Sequence, residues 1–227
     1  MTTATMNRTD AEIKESVNDQ LFWDNRFDAT DITVEVNDGT VTLTGTVLTY
    51  FGRQAAESST WVVSGVTDVR NQLVVDYPET MVPSDEEIRV NIVDLFARNS
   101  DVDTSEIDVY VDEGLVILEG TVDAYWKKEY LRDLIVSVNG VADIDNKVTV
   151  VPTENVVDKK IANDVMAALE RNIFVDTDDI DVTVKDGEVT LEGTVYTWKT
   201  TEEANKSALF TDGVVEVHNN LIVNNEH

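Results

Sequence analysis

The chain has 227 residues, 45 Asp and Glu against 17 Lys and Arg for a formal charge of −28, 42% hydrophobic residues and no cysteine. That charge repels the phosphates of nucleic acids and of anionic lipid surfaces, and without Cys there are no disulfides, thiolates or Cys-ligated metals. No stretch at the start has a signal-peptide core and nowhere do 18 apolar residues run together, which predicts a cytoplasmic protein.

Thr9 and Glu12 stand where a capping box begins a helix, and Ile13, Val17 and Leu21 then line one helical face. Next, "ITVEV" alternates as a strand with one buried face does. Asn37-Asp38-Gly39 supplies a tight turn, and Val41–Val47 forms the second strand of a hairpin. Gly45 lies inside that strand, where it signals a bulge or a close approach, and is read as room for a packed helix. From Tyr50 a second helical pattern runs some fifteen residues to Gly65, a left-handed C-terminal cap, and "VRNQLVV" closes the unit as a third strand.

The same order then recurs twice. A shift of 75 residues and a further shift of 73 place Ile13 on Ile88 and Ile161, Gly65 on Gly140 and Gly213, and Asn71 on Asn146 and Asn219 without a gap. Ser84 with Glu87 forms the second capping box, and Asp158 is the expected cap in the third copy. The turn glycines recur as Gly39, Gly114 and Gly187 and the strand glycines as Gly45, Gly120 and Gly193. All nine are expected to serve structure, since no phosphate-binding glycine motif is present.

The expected fold is α+β: three tandem αββαβ modules at 9–76, 84–151 and 157–224, each a small mixed sheet with two helices on one face. Units this small are marginal alone, so contacts between copies are expected. The joints hold Pro78, Pro83 and Pro152 and read as semi-stiff spacers. Net charges of −7 over residues 1–78, −11 over 79–152 and −10 over 153–227 make the acidity a coat rather than a tail.

A capped helix, I-x-V-x-V, a D-G turn, V-x-L-x-G-x-V, a helix ending in G-V and N-x-L-x-V together resemble the BON domain of bacterial osmotically inducible and nodulation proteins. The resemblance covers nearly the whole chain in three copies. It implies a fold without catalysis, in proteins tied to envelope integrity, osmotic stress or the binding of phospholipid or other small ligands.

Few residues invite chemistry. Asp101, Asp103, Glu106 and Asp108, with Asp176, Asp178, Asp179 and Asp181, cluster where helix gives way to strand, but neither set has the glycine and glutamate of an EF-hand, so hydrated loops are expected. His218 and His227 have no counterparts in the other copies and suggest neither triad nor metal site. No catalytic residue, metal or cofactor is expected.

The aromatics Tyr50, Phe51, Tyr125, Trp126 and Trp198 recur where the second strand meets the second helix, and are the candidate partner or lipid surface. Trp23 and Trp61 have no aromatic equivalents, and each is expected to serve local packing or one joint. The leading reading is a non-enzymatic three-module binding or scaffold protein linked to osmotic, ionic or envelope stress, with a protein partner or self-association. A self-assembling structural protein and a phospholipid-binding protein are the alternatives, and a small ligand or cation is a further candidate partner. A halophilic bacterial or archaeal source would also account for the acid coat.

Overall fold

A computed structural model describes residues 8–78, 82–153 and 156–224; His227 and parts of both joints lie outside them. The first module runs α1 (Asp10–Trp23), β1 (Ile32–Asn37), β2 (Thr40–Val47), α2 (Tyr50–Trp61) and β3 (Asp68–Val75). The second has α3 (Asp85–Arg98), β4 (Ile107–Asp112), β5 (Leu115–Val122), α4 (Tyr125–Ile135), β6 (Asp143–Asn146) and β7 (Thr149–Val150). The third has α5 (Asp158–Glu170), β8 (Ile180–Lys185), β9 (Glu188–Val195), α6 (Trp198–Leu209) and β10 (Glu216–Val223).

In each sheet the second strand is central. β2 pairs antiparallel with β1, from Ile32↔Gly45 to Asn37↔Thr40, and parallel with β3, from Thr40↔Asp68 to Val47↔Val75. α1 packs over β1, α2 over β3 and the helices against each other, so both cover one face. Ile13, Val17 and Leu21 are buried there against Val41, Leu43, Val47 and Leu73. Each such side chain contributes about 1.5–3 kcal/mol relative to leaving it exposed. The third strand of the middle module is one element in the sequence pattern but two in the structure, β6 and β7, divided at Lys147 and Val148. The Lys147 amide still donates to Leu118 O at 2.9 Å, so the ladder bends there without losing that bond.

Both capping boxes form, at Thr9 with Glu12 and at Ser84 with Glu87. Asp158 is not the third cap: Val157 holds that place without a side-chain bond, and Asp158 is the first helical residue. Its carboxylate is drawn off to the hairpin, accepting from the amides of Asp186 and Gly187 at 3.0 Å each. Asp10 and Asp85 do the same for their own turns. Both central residues of each turn have positive φ, 48° and 76° at Asp38 and Gly39, as the two-residue hairpin matching strand twist requires.

Two readings of the glycines are corrected. A Cβ on Gly45 would meet the backbone oxygen of Asp31 at 1.9 Å, so the close neighbour is the entry to β1, not a helix. Gly65 has positive φ but does not cap α2, which stops at Trp61 with Val62 as its cap. Residues 62–65 form a further turn that brings Gly65 against Ile13, where a Cβ would sit 2.8 Å from Ile13 Cδ1.

The recurrent asparagine ties strand to helix. Asn71 Nδ2 donates to Arg53 O at 2.9 Å while its Oδ1 accepts from the Leu73 amide at 3.2 Å. Asn146 and Asn219 repeat the bond to Lys128 O and Thr201 O.

Candidate functional site

The second helix of each module opens on the aromatic position, held by extended backbone at the preceding cap: Thr49, Ala124 and Thr197. Thr49 and Thr197 accept from amides in the first turn, which Ala124 cannot do. The structure sends the aromatic of each copy to a neighbouring module.

Tyr50 is only 4% exposed and belongs to the core of the second module, beside Ile135, Leu131 and Val141. Its phenol oxygen accepts from Gln54 Nε2 at 3.2 Å and from the Arg132 guanidinium. Arg53 lies 5.9 Å from the Tyr50 ring centre, and its Nη1 is 3.4 Å from Asp143 of β6. Tyr77, at the end of the first module, donates to Val141 O at 3.4 Å.

Tyr125 leaves the second module in the same manner, half-buried, and packs against the core of the third. It hydrogen-bonds to the backbone of Val217, and burial pushes its phenol up to about 12. Val215 packs back against the core of the second module. Trp198 of the third module stacks on Trp61 of the first, with ring centres 5.9 Å apart and planes 12° from parallel. The hand-over therefore runs from first to second, second to third and third to first, closing a ring.

Those three rings, candidates for a partner or lipid surface, are thus turned to the joints between modules, and Trp61 supplies one joint. Phe51 stays exposed on α2. Trp126 packs against Tyr130 at 6.1 Å, and Lys127 Nζ lies 5.7 Å from the centre of its ring. Neither contact leaves the second module.

Exposed apolar groups sit elsewhere, at the far end of the first helix. Phe22 and Trp23 meet edge to face at 5.3 Å and are 72% and 79% exposed. Phe22 borders a groove of about 760 Å³ with Asp19, Asp28 and Phe27. The matching groove of the third module, about 470 Å³, is lined by Ile173, Phe174, Asp176, Asp179 and Tyr196. An apolar patch edged with carboxylates favours a ligand with both apolar and cationic groups. Beneath the first groove, Arg26 binds Asp24 at 2.7 Å and Ser59 donates to the same carboxylate. The guanidinium hydrogen bonds hold Asp24 well below the usual carboxylate range, with Ser59 adding to the effect against the opposing cost of burial.

The acid clusters serve their loops: Asp103 accepts from the Ser105 amide and Asp176 from the Asp178 amide. Among the described residues no three His, Cys, Asp or Glu side chains converge as a metal site would need. His218 is exposed, 3.7 Å from Glu188. No helix of the described residues is long and apolar enough to cross a membrane. The residues that sequence reasoning passed over are Arg132 and the Asp24–Arg26–Ser59 cluster, while Trp61 sits at a joint, one of the two places expected of it. Arg132, Asp24 and Arg26 do not recur at their shifted positions, and Ser59 recurs only as Ser207 in the third copy, where its hydroxyl accepts from Asn172 at the position of Asp24.

The family described as BON domain matches residues 9–77, 84–152 and 157–225. Among solved structures, the C-terminal domain of CdsD, the structural protein of the Type III secretion system of Chlamydia trachomatis, is 17% identical over 96% of this chain and 100% of that one, with a TM-score of 0.27. A second CdsD structure is 16% identical over 94% and 91%, with a TM-score of 0.28. These scores are too low to bear on this chain. No curated protein matches.

Proposed function

The chain belongs to the BON domain family, in three tandem copies, and from that premise we propose that it is a non-enzymatic scaffold binding a protein partner under osmotic or ionic stress. The observation that supports this most is the cyclic exchange of Tyr50, Tyr125 and Trp198. It makes one body of three modules and keeps the carboxylate-edged grooves at fixed spacing, so that several weak contacts act together. The grooves favour a partner segment with basic and apolar side chains, since the coat of the chain repels acidic ones.

The test replaces Phe22 and Phe174, one at a time, by a photo-crosslinking amino acid in the source cells, before and after osmotic upshift. Adducts with one basic protein from both positions, lost in a Trp23→Asp/Ile173→Asp chain, together with a growth defect of the deletion strain at high osmolarity, are expected. Adducts with lipid alone would favour the phospholipid reading. Neither adducts nor a growth defect would sink both.

A further inference from the structure

Three joints close the ring, but only two lie between modules that follow one another in the chain. The third brings the last module back to the first with no short connector beside it. Its chemistry is also the poorest of the three.

At the first joint Tyr50 is buried in its neighbour's core, its phenol takes a bond from Arg132, Arg53 pairs with Asp143, and Tyr77 reaches Val141 O. At the second, Tyr125 is packed in the neighbour's core and bonded to the Val217 backbone. Lys128 and Glu216 stand there at the positions of Arg53 and Asp143, keeping opposite charges. At the third, Trp198 has no hydroxyl to offer, and its ring lies in a near-parallel, offset stack on Trp61. The positions of Arg53 and Asp143 are taken by Thr201 and Asp68, which cannot form an ion pair. The Thr201 hydroxyl is buried without a hydrogen-bond partner, as is Arg53 Nε of the first joint, so that cost is common to both and the missing ion pair is what sets the third apart.

Charge opposes closure. The first and third thirds of the chain carry −7 and −10. A unit of this size has a radius of gyration of about 11 Å, which puts the centres of two touching units roughly 25–30 Å apart. The screening length is about 8 Å at 0.15 M salt and about 30 Å at 0.01 M. Repulsion between these modules is thus nearly silent in the first condition and acts across their full separation in the second.

We propose that the Trp61–Trp198 joint is a latch set by ionic strength, closed when salt screens the coat and open when it does not, while the other two joints hold. Opening turns the compact ring into a three-module arm and exposes Trp61 and Trp198 together. Salt concentration then decides whether the grooves are presented at fixed or variable spacing. The latch rests on the joints alone and stands whatever partner the grooves take.

The full chain is titrated from low salt upward with NaCl and, at matched ionic strength, with MgSO4. Two readouts follow the latch: the far-UV exciton signal of stacked indoles, taken as a difference against Trp198→Phe, and the radius of gyration from small-angle scattering. Both should move together, the signal growing and the chain contracting, with the change nearly complete by about 0.15 M. Thr201→Arg, which places a cation opposite Asp68 as Arg53 stands opposite Asp143, should shift the midpoint several-fold lower in salt. An unchanged urea midpoint at high salt shows that this variant folds. A signal and radius independent of salt in the unmodified chain would overturn the latch. So would a folded Thr201→Arg chain whose midpoint does not move, or a response that follows Mg²⁺ rather than ionic strength.

Discussion

Asp158 holds the backbone amide of Gly187 at 3.0 Å across 29 residues of chain, and its second oxygen holds the amide of Asp186. The two amides belong to a turn with φ of 53° and 83°, a conformation that leaves them pointing outward together. One carboxylate at the first helical turn thus secures the hairpin and complements the helix dipole. Asp158→Ala should destabilise the third module by about 1.5–3 kcal/mol, the range for a hydrogen bond to a charged group. Urea unfolding checks this, with Asp158→Asn expected to recover part of the loss.

Gly193→Ala should cost about 2 kcal/mol or more, because it adds a strained positive φ to a steric conflict. The residue has φ 137°, and a Cβ there would fall 1.9 Å from the backbone oxygen of Asp179, which cannot swing away as a side chain can. Amide exchange should show the damage in β8 and β9. Equal protection in both chains would contradict the close approach.

Tyr50 lies in one module and stabilises another. Tyr50→Ala should cost about 3–5 kcal/mol, as for other buried aromatics, and the amides of α4 should lose protection more than those of β1. Tyr50→Phe keeps the ring and loses the bond from Arg132, for about 1 kcal/mol. Hydrogen exchange that changed only in the first module would refute the shared core.

Asp24 sets the acid limit of the first module. Its folded value lies far below its ordinary one, so its contribution is fully present above about pH 4 and is lost as pH falls toward the folded value. Asp24→Asn should start less stable at pH 7 and show a shallower decline between pH 4 and pH 2. Parallel urea midpoints over that range would show that the carboxylate is not tied as described.

Tyr125 sets the alkaline limit of the second joint. Its phenol ionises at about 12 in the folded chain against 10.0 ordinarily, because burial disfavours the phenolate. The stability it adds is fully present below about pH 10 and is lost as pH rises through 12. Ultraviolet titration should find Tyr125 ionising late, beside Tyr77, whose phenol burial also raises, and Tyr125→Phe should remove one late step and leave the other.

Within a module, nearly every element was legible, since a spacing of four on Ile13, Val17 and Leu21 and an alternation in "ITVEV" each admit one arrangement. Repetition strengthened each reading threefold. Asp158 was misread because a helix-start aspartate has two available duties, capping or holding the turn, and only the fold brings residues 158 and 187 together. The break between β6 and β7 was also hidden, as "IDNKVTV" alternates no worse than its relatives. Between modules the pattern was silent. Tyr50, Tyr125 and Trp198 were visible as a recurring set, but whether an aromatic at a helix start faces solvent or a neighbour depends on the placement of the next module, which local periodicity does not encode.

The lending of Tyr50 to a neighbour also orders events during synthesis. When the first module leaves the ribosome, the cavity its tyrosine fills has not yet been translated, and the same is true of Tyr125 one module later. Each bead waits with its aromatic uncovered until its successor arrives, and only the last, returning to a surface completed long before, releases the chain from that dependence.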